Sequence, residues 1–294
     1  MVSASPFVPV SSHRASLGEG LCFDPNSSRV YWLDIKEARL FSVSADAVDT
    51  EEISIAQSLS SIGLAETHDF VCTSRNGFGF LDLDNGTARY TQIVDPEEDL
   101  PGNRFNDGKV DPSGGYIAGT MKDAEDERTG SWWRLAADGT VKRLVDGFFV
   151  TNGPAFGENG DLAYLVDSFD GRVLRFTLQD REIDGYRKHI SVDTKAMGHP
   201  DGMTVDREGF LWIAFWDGYA VRRFAPDGQL DCEFKVPARR PTSIEIIEDR
   251  IFVTTASIGV DAGTMQDDGR LLTAQLDRQL GQLSRYRFND QAWG

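Results

Sequence analysis

Short runs of apolar and β-branched residues recur along the whole chain, and polar turns separate them. Runs such as RVYWLDI (29–35), GYIAGTM (115–121) and FLWIAFW (210–216) combine valine, isoleucine and aromatic residues with little charge. Asp, Gly, Asn or Pro follow the runs and favour turns. The 29 glycines and 11 prolines, spread over 294 residues, argue against long helices. This pattern is typical of short β-strands and predicts an all-β protein.

The runs belong to a unit that repeats six times. Each unit contains one recurring position, which we call the anchor, where a first apolar run starts. A turn and a second strand follow this run. Five anchors are glycines and the sixth is a serine: Gly20, Gly63, Gly108, Gly153, Gly202 and Ser243. Neighbouring anchors are about 45 residues apart, the length of one propeller blade. Four units show a third strand with aromatic residues, and in the last unit GQLSRYRF (281–288) is expected to take that place.

Six such units predict a six-bladed β-propeller that occupies residues 1–294 as a single domain. A β-sandwich has similar strand spacing, but it does not repeat the same strand order six times. The last unit lacks an obvious fourth strand, and the first anchor comes only at Gly20. We therefore expect Phe7–Ser11 to supply that strand and close the ring, which removes an exposed sheet edge.

Charge and cysteine content argue against several classes of function. The chain has 30 Lys and Arg against 47 Asp and Glu, a net charge of −17, which disfavours nucleic-acid binding. No run approaches the roughly 18 apolar residues of a membrane span, and the N-terminal segment lacks the basic region of a secretory signal. Three cysteines without CxxC spacing predict no thiolate metal site and fit the cytoplasm. The oligomeric state stays open.

The repeat places one residue of each blade at the same level of the central channel. The first strand of a blade lines that channel, and we take the anchor as the start of this strand. The residues before the anchors are Glu19, Ile62, Asp107, Asn152, Asp201 and Thr242. Four of the six carry carboxylate or amide oxygens. Carboxylates that converge in a narrow channel repel one another unless a cation or a shared proton compensates.

A divalent cation is the simpler compensation. Donors that are all oxygens suit a hard ion such as Ca²⁺, Mg²⁺ or Mn²⁺. We expect Ca²⁺ first, but oxygen donors do not distinguish it from Mg²⁺, Mn²⁺, Fe²⁺ or Zn²⁺, and these ions stay open. Zinc sites usually include His or Cys, and only His199 lies near these donors in sequence. Asp and Asn before Gly are also ordinary turn residues. Glu19 is a poor turn residue, however, so the set as a whole favours a metal site.

Arg104 and Asn106 precede Asp107 in the segment GNRFNDG (102–108). A guanidinium donates several hydrogen bonds to a hydroxyl-rich or anionic ligand, and an amide both donates and accepts. Beside the channel mouth, these two residues form a candidate substrate clamp. For His199, contact with the substrate or a metal-bound water and a packing role both stay open.

Four segments resemble the SMP-30/gluconolactonase/LRE family, which includes regucalcin-like gluconolactonases and bacterial sugar lactonases. They are LGEG (17–20), NRFNDGKVDPSGGYIAGTM (103–121), TNGPAF (151–156) and PDGMTVDREGFLWIAFW (200–216). They follow the family's order, and the resemblance covers nearly the whole chain. It implies a six-bladed propeller that binds one divalent cation in its channel and hydrolyses sugar lactones.

The resemblance also assigns roles to individual residues. It implies that Glu19, Asn152 and Asp201 bind the cation, and that Asp201 is also the general base. It implies that Arg104 and Asn106 bind the substrate. Asp107 and His199 are expected to surround the cation ligands without binding the cation directly. Asp107 is expected close to the cation or joined to it through water.

One segment departs from the regucalcin-like pattern. Those members carry a Glu soon after the GTM strand that helps to hold the sugar. In GTMKDAEDERTGSWW (119–133) no acid aligns at that offset, which leaves Asp123, Glu125 and Glu127 as candidates. The segment looks more like the bacterial sugar lactonases. Substrate preference is expected to lie in the loops Lys122–Ser131, Phe148–Thr151 and Phe215–Tyr219, and the sugar itself stays open.

The sequence therefore predicts a metal-dependent lactonase that converts sugar lactones to sugar acids. The cation would polarise the lactone carbonyl and Asp201 would activate the attacking water. A serine nucleophile is not expected, since no GxSxG motif is present. Two alternatives are a promiscuous metal-dependent esterase or phosphotriesterase, and a non-catalytic propeller that binds a partner.

Overall fold

Antiparallel strands make up almost all of the regular structure. The computed structural model describes residues 2–46, 50–179, 182–261, 266–282 and 286–293. In these ranges the strands form six four-stranded sheets. Helical structure there is limited to α1 (Thr194–Met197) and a 3-10 turn at Gln291–Trp293. The expected all-β class with six blades is confirmed.

The strands are numbered along the chain, which opens with β1 (Val8–Pro9). The first sheet contains β2 (Gly18–Asp24), β3 (Arg29–Asp34), β4 (Arg39–Ser44) and β5 (Thr50–Ser54). The second contains β6 (Leu59–Leu64), β7 (Phe70–Ser74), β8 (Gly77–Asp84) and β9 (Thr87–Val94). The third contains β10 (Asn103–Val110), β11 (Tyr116–Lys122), β12 (Gly130–Leu135) and β13 (Val141–Phe148).

The other three sheets follow the same plan. The fourth contains β14 (Thr151–Phe156), β15 (Leu162–Asp167), β16 (Arg172–Gln179) and β17 (Glu182–Ser191). The fifth contains β18 (His199–Val205), β19 (Leu211–Trp216), β20 (Ala220–Phe224) and β21 (Leu230–Lys235). The sixth contains β22 (Pro241–Ile247), β23 (Arg250–Thr255) and β24 (Leu272–Gln275), and β1 is its outermost strand.

The first strand of each sheet lies at the centre of the molecule. These inner strands contact one another in a closed circle that runs β2, β6, β10, β14, β18, β22 and back to β2. Apolar side chains of adjacent sheets fill the space between blades, in clusters that include Phe41, Tyr116, Trp132 and Trp212. Burial of such large aromatic side chains stabilises the ring by the hydrophobic effect.

The N-terminal strand pairs with the sixth sheet. Val8 lies opposite Thr273 and Pro9 opposite Leu272, within the segment Phe7–Ser11 that the sequence assigned to this place. Proline has no N–H to donate to a ladder, and an outermost strand tolerates it. The last sheet is therefore built from both ends of the chain, which covers an edge that would otherwise be exposed.

The third strand of the sixth sheet is not the expected segment GQLSRYRF (281–288). β24 takes that position, with Thr273 paired to Phe252, while Phe288 bridges to Ala65 of the second sheet. Residues 283–285 of the expected segment lie outside the described residues. The expectation was wrong because β24 carries no aromatic residue, and strand propensity favoured the aromatic segment instead.

The C-terminal segment packs against the other end of the channel, at the carboxyl ends of the inner strands. Gln282 Nε2 donates to the carbonyl of Phe156 (3.0 Å), and the Phe288 amide donates to the carbonyl of Leu64 (2.8 Å). Gln282 and the carboxyl ends of several inner strands line a second cavity at this end.

All three cysteines are free thiols, which agrees with the absence of CxxC spacing. In the part of the chain that the structure describes, no helix has the length and apolar character needed to cross a bilayer.

Candidate active site at the channel mouth

The inner strands begin before the anchors, and most anchors lie within β-bulges. β2 begins at Gly18, and its register against β3 shifts between Glu19 and Cys22. The third to sixth sheets have comparable shifts at Phe105/Gly108, Asn152/Ala155, Pro200/Met203 and Pro241/Ile244. The expectation that an anchor starts its strand is therefore wrong. Instead, the extra residue of a bulge redirects the side chain that precedes the anchor.

Glycine is required at several of these bulges, although not at that of Ser243, for conformational and steric reasons. Gly20 has φ +63° and Gly153 has φ +80°, in the left-handed region that other residues rarely adopt. A Cβ on Gly202 would lie only 2.7 Å from the carbonyl oxygen of Thr242. The anchor glycines thus allow the inner strands to approach closely enough for their preceding side chains to share one space.

Three of the six residues before the anchors line one cavity at the mouth: Glu19, Asn152 and Asp201. This cavity of about 230 Å³ is open to solvent and exceeds the ~15 Å³ that one water requires. Its walls also include the predicted residues Arg104, Asn106 and His199. The structure therefore brings together, in one cavity, residues that are up to 182 positions apart in sequence, from Glu19 to Asp201.

The other three residues before the anchors lie elsewhere. Asp107 is not part of the cavity wall, although it interacts electrostatically with Glu19 and Asp201. The Thr242 hydroxyl is fully buried and donates to the Gly18 carbonyl. Ile62 lines a cavity at the opposite end of the channel, so its predicted place at the mouth is wrong. In the second sheet the register shift falls between Leu59 and Ser61, and Ile62 pairs regularly with Cys72.

The three mouth residues offer oxygen donors that suit a hard cation. Glu19, Asn152 and Asp201 are each at least nine-tenths buried, and Asp201 Oδ1 is buried without a hydrogen-bond partner. A buried, unpaired carboxylate oxygen is costly unless a positive charge or a proton satisfies it. The donor chemistry therefore fits a divalent cation. Among the described residues no group of three or more His, Cys, Asp or Glu is arranged for a metal, so the amide of Asn152 is needed to complete this set.

The electrostatics of the mouth also favour a cation. Burial raises the pKa of Glu19 well above its ordinary value, and the carboxylates of Asp201 and Asp107 raise it further. Burial and the Asp107 carboxylate raise the pKa of Asp201 in the same way. Burial raises the pKa of Asp107 to about 7. Without a counter-charge these carboxyl groups retain protons, and a bound cation would displace them.

Hydrogen bonds fix the orientation of the Asn152 amide. Its Nδ2 donates to Ser168 Oγ (2.8 Å), which in turn donates to the carbonyl of Pro200 (2.6 Å). Asn106 Nδ2 donates to Asn152 Oδ1 (2.9 Å). Because an amide oxygen accepts two hydrogen bonds or ligands, Oδ1 keeps one lone pair for a ligand in the cavity.

Arg104 is held at the mouth by two side chains. Its Nη1 donates to Asn106 Oδ1 (2.7 Å) and its Nε donates to Asp123 Oδ1 (2.8 Å). Arg75 donates to the second oxygen of Asp123 (2.9 Å). The hydrogen bond from Arg75 is the largest cause of the lowered pKa of Asp123, followed in the same direction by Arg104. The predicted clamp residues therefore form one connected unit.

The three acids after the GTM strand have different surroundings. Asp123 fixes Arg104, and Glu125 lines the cavity from a turn with φ +57°. Glu127 pairs with the Lys122 ammonium (2.6 Å) and is absent from the cavity wall. The sequence identified all three as candidates but gave no basis for choosing between them.

His199 lies in the cavity wall, and its Nδ1 is 3.0 Å from the carbonyl of Ser168. A carbonyl only accepts, so Nδ1 carries the proton in this contact and Nε2 is left as an acceptor. The ring is thus oriented by the backbone and presents one edge to the cavity.

Several residues of the cavity wall were not among the candidates from the sequence, including Ile35, Ser168 and Phe169. Ser168 and Phe169 lie in the turn between β15 and β16, outside the three loops expected to control specificity. The position of this turn in the repeat matches that of Trp216–Tyr219 in the fifth sheet, which was identified. Alignment of the turns between second and third strands would have found it.

Comparisons with known proteins all point to one family. A family model described as an SMP-30/Gluconolactonase/LRE-like region matches residues 17–257. An L-arabinolactonase from Azospirillum brasilense is 34% identical over 264 residues, 87% of this chain and 86% of the relative. Regucalcin from Gallus gallus is 32% identical over 268 residues, 86% and 87% of the two chains.

A solved structure is also similar along nearly its whole length. A calcium-binding protein, regucalcin, from Agrobacterium tumefaciens str. C58 has a TM-score of 0.86 and 28% identity, covering 96% of this chain and 98% of that one. The family model alone spans well over half of the chain. The chain therefore belongs to the SMP-30/gluconolactonase/LRE-like family.

Proposed function

We propose that this protein hydrolyses sugar lactones with the help of one divalent cation, Ca²⁺ by preference. The observation that carries the proposal is the buried, unpaired Asp201 Oδ1 in a cavity that also contains Glu19 and Asn152. The related L-arabinolactonase supports the lactone class, and the calcium-binding description of the Agrobacterium protein supports the ion.

Glu19, Asn152 and Asp201 would hold the cation. When bound, it would supply Lewis-acid polarisation of the lactone carbonyl and charge stabilisation as the oxyanion develops. The two carboxylates provide the negative charge, and the hydrogen bond from Asn152 to Ser168 keeps the amide oxygen turned toward the cavity.

Asp201 is the proposed general base. Its unpaired oxygen accepts a proton from the attacking water. The water oxygen bonds to the carbonyl carbon, and the bond from that carbon to the ring oxygen breaks. Asp201 then returns the proton to the ring oxygen, which leaves as the hydroxyl of the open sugar acid.

Arg104 and Asn106 orient the substrate. Asp123 and Asn106 hold the guanidinium in one position, and its remaining N–H groups are available to hydroxyl groups of the sugar. Such positioning lowers the entropic part of the barrier. A serine nucleophile is not supported, since Ser168 Oγ donates to Pro200 and His199 contacts the backbone of Ser168 rather than its hydroxyl.

A pH-stat assay of aldonolactones beside aryl esters and phosphotriesters tests the proposal. We expect release of acid from at least one pentono- or hexonolactone to be at least about tenfold faster, in kcat/KM, than hydrolysis of either other class. Faster turnover of aryl esters or phosphotriesters would favour the promiscuous esterase. No turnover of any class would favour the non-catalytic binding module.

Arg104→Ala is expected to raise KM by about tenfold or more and to change kcat much less. The substitution removes charged hydrogen-bond donors from the substrate site without touching the proposed cation ligands. Steady-state kinetics on the best lactone give both constants. Arg75→Ala is the matched control, because Arg75 contacts the same Asp123 from outside the cavity wall and should leave KM nearly unchanged. An unchanged KM in Arg104→Ala would remove Arg104 from the substrate site.

A further inference from the structure

The cavity at the mouth has two chemically different sides. The third sheet contributes the polar pair Arg104 and Asn106. The fourth and fifth sheets contribute the aromatic side chains of Phe169 and Trp216 beside the cation ligands and the polar residues Ser168, His199 and Asp217. The proposed mechanism uses the polar side and the cation ligands, but it gives no role to the aromatic side.

Phe169 is held in place although half of it is exposed. Its side chain is 51% exposed and packs against the ring of Phe149, with centroids 4.5 Å apart. The Arg128 guanidinium lies over the Phe149 ring at 4.3 Å. Arg128 also donates two hydrogen bonds to Asp170 (2.7 and 2.8 Å), the residue after Phe169. This support fixes an apolar surface that is exposed at the site.

Trp216 has similar support from the neighbouring blade. The Arg240 guanidinium lies over its ring at 4.5 Å. Arg240 Nε donates to Asp217 Oδ1 (2.8 Å), the residue after Trp216. Arg240 thus backs Trp216 directly, whereas Arg128 backs Phe169 through the ring of Phe149, and an aspartate anchors each arginine. An exposed apolar surface built this way indicates contact with an apolar part of a ligand.

The rings of Phe169 and Trp216 themselves cannot satisfy a hydroxyl group. An aromatic ring packs well against C–H groups, whereas a hydroxyl pressed against it loses its hydrogen bonds to water. The polar side has the opposite preference, since Arg104 and Asn106 bind hydroxyl groups. A ligand that matches both sides carries hydroxyls at one end and a carbon without a hydroxyl at the other.

We propose that Phe169 and Trp216 select lactones whose terminal carbon lacks a hydroxyl, so that 6-deoxyhexonolactones are preferred to hexonolactones of the same configuration. This inference rests on the proposed lactonase function. It assigns a specificity role to the turn between β15 and β16 and to the end of β19.

The test compares kcat/KM for a 6-deoxyhexono-1,4-lactone and for the hexono-1,4-lactone of the same configuration. The unmodified protein is expected to favour the deoxy lactone by about tenfold. Phe169→Asn, which adds hydrogen-bonding groups to the wall, should bring the ratio below about two. Phe169→Leu keeps the wall apolar and should retain most of the preference. Leu230→Ser, which changes an equally exposed apolar residue on β21, should leave the ratio unchanged.

The outcomes separate the inference from the proposed function. If lactones are hydrolysed but the ratio is one or lower, the apolar wall does not select deoxy lactones and the inference is wrong. Equal kcat/KM ratios for the two lactones in Phe169→Asn and Phe169→Leu would also overturn the inference, because the polarity of the side chain at position 169 would then have no effect on the preference. If neither these lactones nor any other aldonolactone is hydrolysed, the proposed function itself has failed.

Discussion

Asp201→Asn should lower kcat on the best lactone by at least about a thousandfold, while the propeller stays folded. The substitution removes the proposed general base and one of the two carboxylates of the cation site. Because Asn has nearly the same volume as Asp, the packing around position 201 should persist. Stopped assays with a high enzyme concentration measure the residual turnover, and far-UV circular dichroism checks the fold.

The stability of this variant separates a catalytic from a structural role. Asp201 is buried, its Oδ1 has no partner and burial raises its pKa, so ionisation of this carboxyl group opposes folding in the metal-free protein. Metal-free Asp201→Asn should therefore unfold at a temperature no lower than that of the metal-free parent. A large drop in Tm together with lost activity would instead mean that Asp201 supports the fold.

Asp290→Asn provides the matched control. Asp290 is also fully buried, but its carboxylate accepts backbone N–H groups from Glu66, Thr67 and His68, at 2.8 to 3.0 Å. It lies in the C-terminal segment, away from the mouth. This variant should lose stability, by about 1 kcal/mol or more, and keep kcat per folded molecule. Loss of kcat in the control would show that the assay reports damage to the fold.

Removal of the divalent cation is expected to abolish activity, and addition of Ca²⁺ should restore it. Burial and mutual repulsion raise the pKa values of the two carboxyl groups at the mouth although Arg104 acts in the opposite direction on Glu19, so a cation is needed to hold both groups ionised. Chelation followed by desalting, and then titration with each divalent ion in turn, measures both effects. Hydrolysis of lactones at the full rate by metal-free protein would contradict the proposed mechanism.

The same experiment has a defined pH dependence. Burial and mutual repulsion raise the pKa values of Glu19 and Asp201, and the pKa of Asp107 is about 7, so protons compete with the cation for this cluster. As pH rises through about 7, these protons are lost more readily. The Ca²⁺ concentration for half-maximal activity should therefore fall between about pH 6 and about pH 8.

The repeat made much of the site predictable from the sequence. Once the blades were aligned, Glu19, Asn152 and Asp201 occupied one position of the repeat, and the structure places all three at one cavity. Ile62 occupies the same position but faces the other end of the channel. A bulge decides which way a side chain points, and its location depends on pairing with the next strand, which the sequence does not reveal.

Contacts between blades could not be predicted from the sequence. The hydrogen bond from Arg75 to Asp123 joins turns of the second and third sheets, and its geometry appears only when the blades are assembled. The support of Phe169 by Phe149 and Arg128 has the same origin. Periodicity identifies positions within a blade, whereas specificity at this mouth depends on side chains from neighbouring blades.

Titration calorimetry of Ca²⁺ into chelator-treated protein tests the central claim most directly. The account predicts one site per chain in the parent protein and, in Glu19→Gln, an affinity lower by at least about tenfold, because one of two buried carboxylate ligands is lost. Asn152→Ala should weaken binding as well, through loss of the amide oxygen. Binding of equal affinity in Glu19→Gln and the parent would contradict the assignment of the cation to the channel mouth.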